Sequence, residues 1–296
     1  MKLDGRAGRS RAALLLMVLV ALVAGGYAAV AAAASGPSAN ASSDNEGICD
    51  WQGEIVLVGF NFAQVGTVAA DGQLLHIDKH VHLFEIFGTT FGGNGTTTFG
   101  VPDLRGKAPI AGLHYVVCST GPFPAESTQT SHCNWLGQII LTAAPLPFRG
   151  TVSANGQLLE TSNYQALFAL YGHTFGGSQT SGKFGVPSIE NRVPIPGLHY
   201  RVCTSGSFPQ PDGGTGRCNW LGQVVLFPFT PVPFATLAAH GQLLKLSTHT
   251  ALFSLFNFTF GGSLNSGEFG VPNLAGKAPP NLHYAACTRG AYPVRE

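Results

Sequence analysis

Apolar and polar positions recur in the same order three times along this chain. A short apolar run opens each stretch, at Glu54–Val58, Gln138–Leu141 and Gln223–Phe227, and predicts a strand. A second strand and turn follow at Ala70-Asp71-Gly72-Gln73-Leu74-Leu75, Ala154-Asn155-Gly156-Gln157-Leu158-Leu159 and Ala239-His240-Gly241-Gln242-Leu243-Leu244. Asp-Gly and Asn-Gly are hairpin signals, because both residues tolerate positive φ. Next comes a short amphipathic segment, Val81–Phe87, Gln165–Tyr171 and Thr250–Phe256. Leu83, Phe84 and Phe87 are spaced as one or two helical turns against a core would space them. A Thr-Phe-Gly-Gly stretch (90–93, 174–177, 259–262) stops that helix, and each copy then reaches Phe-Gly-Val-Pro at 99–102, 184–187 and 269–272.

Cysteines frame the same three copies. They open Cys49-Asp50-Trp51, Cys133-Asn134-Trp135 and Cys218-Asn219-Trp220, and close on Leu-His-Tyr-x-x-Cys ending at Cys118, Cys203 and Cys287. The separations are 69, 70 and 69 residues, an agreement that any sizeable insertion would have broken. An internal repeat outranks a domain count based on length. The organisation read from it is three domains at 49–124, 133–209 and 218–293. Ala125–His132 and Gln210–Arg217 are polar linkers, and 35–48 is a flexible tether rich in Ser, Asn, Ala and Gly. The expected class is mainly β with short helices (α+β), since Gly and Pro number 39 and 19 and only 10% of residues are charged.

The N-terminus sets the compartment. Lys2, Arg6, Arg9 and Arg11 precede an apolar run from Ala12 to Ala34, ending in Ala32-Ala33-Ala34. That is the layout of a secretory signal, yet a run of this length also spans a bilayer, so a cleaved signal and a retained transmembrane anchor both stand. Either way the remainder is expected outside the cytoplasm, secreted or on the cell surface, where disulfides persist. Residues 1–34 hold four basic and one acidic residue. Without them 12 basic stand against 14 acidic residues, which is no footprint for nucleic acid and no polybasic membrane patch.

Six cysteines permit 15 pairings, which the repeat reduces to two. Pairing within copies joins Cys49–Cys118, Cys133–Cys203 and Cys218–Cys287. Pairing across boundaries joins Cys118–Cys133 and Cys203–Cys218, with Cys49–Cys287 closing a ring. Within-copy pairing is favoured because it works in a single ancestral copy before duplication. Each such bond closes a loop of about 70 residues, worth roughly 4 kcal/mol in the chain-entropy picture.

The ordered motifs Gly53-Glu54-Ile55, Asp71-Gly72-Gln73-Leu74-Leu75 and Val101-Pro102-Asp103-Leu104-Arg105-Gly106-Lys107-Ala108-Pro109-Ile110 resemble the phage tail collar domain family, which includes the microcystin-dependent proteins. The second copy departs in the last motif, reading Val186-Pro187-Ser188-Ile189-Glu190-Asn191-Arg192, and the third reads Val271-Pro272-Asn273-Leu274-Ala275-Gly276-Lys277. The resemblance implies compact β-rich domains of phage tail fibres, structural or receptor-engaging and often trimeric, with no catalytic residue to carry over. Three copies in one chain then suggest a pseudo-trimer, with a homo-oligomer or a bead-like row as alternatives. The paired cysteines and the Leu-His-Tyr motif are additions to the family pattern that fit an exported version.

Candidate chemistry is sparse. His114, His199 and His283 are equivalent, and in a ring of copies they could converge on zinc; the plainer expectation is a local hydrogen bond beside each Tyr, and no metal or cofactor is expected. His80, His82, His132, His240 and His249 lack counterparts in all copies. Asp103, Ser188 and Asn273 mark a turn, and a catalytic carboxylate would not be expected as Asp, Ser and Asn in turn. Glu54, Gln138 and Gln223 make the same point. Lys107, Arg192 and Lys277 keep their charge, as solvated loop cations or as contacts to an anionic polymer. Trp51, Trp135 and Trp220 are expected to pack on the disulfides, with carbohydrate stacking as the rival. No nucleophile–base arrangement or phosphate loop stands out. The sequence therefore points to an exported, non-enzymatic structural or adhesive protein, with a surface glycan or another surface protein as partner. A carbohydrate- or receptor-binding module is the alternative, and a cell-wall enzyme with a site in one copy the least supported reading.

Overall fold

The computed structural model describes residues 49–125, 133–212, 215–230 and 232–295. The expected signal or anchor, the tether and most of the first linker lie outside them. Among the described residues no helix is long and apolar enough to cross a membrane.

Each copy uses the same parts. In the first, β1 is Glu54–Val58, β2 Thr67–Ala69, β3 Leu74–His76, α1 Val81–Phe87, β4 Thr98–Gly100 and β5 His114–Cys118. The second contains β6 Ile139–Thr142, β7 Thr151–Ser153, β8 Leu158–Glu160, α2 Gln165–Tyr171, β9 Gly177–Ser178, β10 Lys183–Gly185 and β11 His199–Cys203. The third contains β12 Gln223–Phe227, β13 Thr236–Ala238, β14 Leu243–Lys245, α3 Thr250–Phe256, β15 Gly262–Ser263, β16 Glu268–Gly270 and β17 His283–Cys287. The three helices occupy the expected residues, and each hides only a narrow face: Leu83, Ile86 and Phe87 in α1, Leu167 and Tyr171 in α2, Leu252 and Phe256 in α3. Helices of two turns are marginal alone, so this docking is what holds them.

The opening, second and closing strands of all three copies form one nine-stranded antiparallel sheet. Within a copy the closing strand lies between the opening strand and the second strand, as β5 pairs with β1 through Ile55↔Val117 and Leu57↔Tyr115 and with β2 through Ala69↔Val116. The free edges of β1, β6 and β12 then pair with one another. Ile55 of β1 faces Leu141 of β6, Leu57 of β1 faces Val224 of β12, and Leu226 of β12 faces Ile139 of β6. Each opening strand thus gives its first half to one neighbour and its second half to the other. Every residue of β1, β6 and β12 is buried, which explains why these strands read as unbroken apolar runs and not as alternating ones.

The Asp-Gly and Asn-Gly turns do not make the hairpins expected of them. β2 belongs to the large sheet, whereas β3 pairs with β4 in a small peripheral sheet, with β8–β10 and β14–β16 as counterparts. The turn carries the chain from one sheet to the other. Asp71 Oδ1 accepts from the Gln73 amide, and the Asp71 backbone bridges Asp103 across the motif after Pro102. The glycine of Phe-Gly-Val-Pro is there for space: a Cβ on Gly100, Gly185 or Gly270 would overlap the carbonyl oxygen of Phe91, Phe175 or Phe260.

The disulfides join Cys49–Cys118, Cys133–Cys203 and Cys218–Cys287, tying the start of each copy to the end of its closing strand. Packing does not respect copy boundaries. Trp51 lies 4.7 Å from the Phe148 ring of the next copy, and Trp135 lies 5.4 Å from Phe227 of the third. Trp220 shares a core cluster with Cys49 and Cys118 of the first.

Candidate functional site at the junction of the three copies

The meeting of β1, β6 and β12 brings equivalent residues of all copies together. Antiparallel register puts Tyr115 on the face of β1 that carries Leu57, since directly opposed residues share a face. Tyr200 and Tyr284 stand opposite Leu141 and Leu226 in the same way. The three tyrosines and the equivalent Glu54, Gln138 and Gln223 line a cavity of about 50 Å³. Burial raises all three phenols, and they act on one another: Tyr115 is raised further by Tyr284 and Tyr200, and Tyr200 by Tyr284. Tyr284 is pushed up to about 12 by burial. They stay neutral, as hydroxyl donors and acceptors.

The histidines, one residue earlier on the same strands, do not converge. Neighbouring strand residues point to opposite faces, so a Tyr turned into the junction sends its His away from it. His114 is exposed, and His199 Nδ1 lies 2.8 Å from Glu190 Oε1. Among the described residues no group of three or more His, Cys, Asp or Glu could hold a metal ion.

A second constellation gathers the residue between Cys and Trp of each copy. The Asn134 amide nitrogen donates to Asp50 Oδ2 at 3.0 Å and to Asn219 Oδ1 at 2.9 Å, so one side chain from the middle copy bridges the other two. Asp50 is buried, which raises its carboxyl to about 7, partly offset by a hydrogen bond with Asn219. Glu54, 3% exposed, is raised well above the usual range by burial and then by the Asp50 charge, while the Trp51 backbone lowers it. Among the described residues Glu54 Oε2 and Gln138 Oε1 are buried without a hydrogen-bond partner. Two carboxyl groups held above their ordinary values by burial form the polar part of this junction.

The remaining candidates sit apart from it. Lys107, Arg192 and Lys277 are exposed in the loops before the closing strands. Asp103 binds Arg105 through Nε at 2.9 Å and Nη2 at 2.6 Å, which holds its carboxyl at about 2. Trp51, Trp135 and Trp220 are no more than 2% exposed, so those rings offer no face to a sugar. One functional-looking group has no trace in the repeat pattern. Arg201, in the second copy only, is 1% exposed and donates to the carbonyls of Ala144 and Pro145, to Ser153 Oγ and to Glu190. Val116 and Ala285 occupy its place in the other copies.

The parts recurring in each copy carry the motif order Gly-x-x, Asx-Gly-Gln-Leu-Leu, Phe-Gly-Val-Pro, with His240 replacing the Asx in the third. The family model of the phage tail collar domain matches residues 53–109, 137–194 and 222–279. The chain belongs to the phage tail collar domain family. Neither a curated protein nor a solved structure matches it. The collar domain is a structural domain of phage tails and not an enzyme family. The collar matches cover the opening strand, the peripheral sheet and the helix of each copy. They leave outside the disulfides, the closing strands with their tyrosines, and the Asp50–Asn134–Asn219 bridge.

Proposed function

We propose that this chain is an exported, non-enzymatic structural protein whose three collar copies form a pseudo-trimer within one polypeptide and present their outer loops for adhesion to a surface glycan or another surface protein. The observation that carries the reading is the reciprocal pairing of β1, β6 and β12. Each strand offers the same two half-edges and receives the other two, which is the pattern of a head-to-tail contact that closes after three steps. Such closure uses up the inner strand edges that a separate collar domain would need other chains to cover. Pairing of cysteines inside each copy supports export into an oxidising compartment.

Light scattering behind size exclusion on residues 43–296 tests the assembly, and the expected mass is that of one chain. A stable trimer of whole chains would overturn the reading, because the edges needed to recruit further copies would then be free. Adhesion is tested by binding of the labelled ectodomain to cells and to a glycan array; its failure would leave the structural reading and remove the adhesive one.

A further inference from the structure

The second copy shows what chemistry a particular cavity of the first is shaped for. Arg201 stands opposite Ser153 across the β11–β7 ladder, and its side chain fills the space under the loop that follows β6. Nη2 donates to Ala144 O at 3.0 Å and Pro145 O at 2.9 Å. Nη1 reaches Ser153 Oγ at 3.1 Å, with Glu190 Oε1 and Tyr200 O at 3.4 Å. In the first copy Val116 stands opposite Ala69 at the corresponding rungs, and the long side chain is absent. A cavity of about 130 Å³ opens there, lined among others by Asn61, Ala69, Arg105, His114, Tyr115 and Val116. Five of these correspond by position in the repeat to Pro145, Ser153, Glu190, Tyr200 and Arg201 itself, so the cavity lies against the same rungs of the closing strand that Arg201 covers in its own copy. Among the described residues the carbonyls of Phe60 and Asn61, counterparts of the two that Arg201 caps, accept no hydrogen bond.

We propose that this cavity of the first copy binds the guanidinium of an arginine side chain supplied by a partner protein, in the place that Arg201 takes in the second copy. The Asn61 carbonyl, which lines the cavity, and the neighbouring Phe60 carbonyl are the acceptors. In the second copy Nη2 serves both loop carbonyls while Nη1 reaches a hydroxyl and a carboxylate, a division between two nitrogens that a guanidinium fork supplies and a single ammonium nitrogen does not. Asp71, which also lines the cavity, supplies the carboxylate that Glu190 supplies in the second copy. Arg105 replaces Glu190 in sequence, but its guanidinium is engaged by both oxygens of Asp103, so its charge is already paired. The floor of Ala69, Val116 and Leu104 takes the methylene stem, as apolar surface does for buried arginine stems.

The test uses the disulfide-intact ectodomain and N-acetyl-arginine methylamide as probe, followed by amide chemical shifts. Saturable changes at Asn61, Ala69, Asp71 and Val116 are expected, with the isosteric but uncharged citrulline derivative giving at least a tenfold weaker response. Grafting the second copy's side chains as Ala69→Ser, Arg105→Glu and Val116→Arg should fill the cavity from within and abolish the response. Equal binding of the two derivatives, no saturable change, or unaltered binding by the grafted variant would each overturn the proposal. The arginine–citrulline comparison on the unaltered protein decides the matter even where the grafted variant does not fold.

Discussion

Replacing Asp50 by asparagine should stabilise this protein at neutral and alkaline pH and do little at pH 4. The carboxyl is buried, and the amide hydrogen bonding it receives only partly compensates, so the folded state raises it from an ordinary 3.8 to about 7. The difference is roughly three factors of ten in proton affinity, or about 4 kcal/mol at about 1.4 kcal/mol each. The sign follows from linkage. A carboxyl raised on folding binds its proton more tightly in the folded state, so its burial costs nothing while both states are protonated. Stability is then lost as pH rises from about 4 to about 7, and no more is lost above that. Other carboxylates pull stability the opposite way; Asp103, lowered to about 2, is one. The informative quantity is therefore the variant-minus-parent difference in unfolding free energy, measured with denaturant under non-reducing conditions at pH 4 and pH 8. It should grow by about 4 kcal/mol between them, plus whatever Glu54 recovers once the neighbouring charge is gone. Asparagine already serves at the equivalent positions 134 and 219, so the substitution asks for no unfamiliar shape. A difference that is flat with pH, or a variant destabilised at pH 8, would refute the account of an uncompensated buried carboxyl.

Three further outcomes are expected. Removing the first disulfide as Cys49→Ser with Cys118→Ser releases a closed loop of about 70 residues and should lower unfolding free energy by roughly 4 kcal/mol, read from the shift of the denaturant midpoint. Arg201→Leu leaves the carbonyls of Ala144 and Pro145 without their donor and the carboxylate of Glu190 with His199 alone, and should cost about 2–4 kcal/mol; a neutral result would show that the loop repacks without it. In an alkaline titration followed at the phenolate absorbance, Tyr115, Tyr171, Tyr200 and Tyr284 should remain un-ionised through the ordinary phenol range near pH 10 until the chain unfolds, and a complete reversible titration there would contradict their burial.

The elements were legible where one copy's sequence determines one copy's structure. The three amphipathic segments became helices over the residues their spacing marked, and two of the three opening strands kept their expected bounds, with β6 shifted one residue toward Thr142. Legibility ended at pairing. An Asp-Gly turn announces a change of direction, but it does not say whether the next strand returns to the same sheet, and here β3 leaves it. The junction was half visible. Leu-His-Tyr recurs three times, and of its two rings the histidine is the one with metal-ligating chemistry. Strand alternation already required His and Tyr to face opposite ways, and the more apolar ring is the one a buried junction takes. Arg201 left a different kind of signal: a single charge on a closing strand where the sister copies write Val and Ala. Averaging over copies hides such a residue, and comparing them exposes it.

That comparison also bears on why three copies in one chain differ from three identical chains. Were identical chains to meet at this junction, each would have to play the same part at each position, and three carboxylates in place of Asp50, Asn134 and Asn219 would face one another out of water. With the copies joined, equivalent positions are free to take unequal roles. Asn134 uses both protons of one amide, one toward the carboxylate of the first copy and one toward the amide oxygen of the third, while neither neighbour returns the same bond to it. The same freedom lets Arg201 fill a space in the second copy that Val116 leaves open in the first. Divergence among the copies is therefore concentrated in polar residues whose partners come from other copies or from one copy's own loop, and glycine, proline and cysteine positions hold the shared scaffold. A chain of this design can lose a contact in one copy and keep the fold through the other two, which is the condition under which one cavity becomes available for a partner.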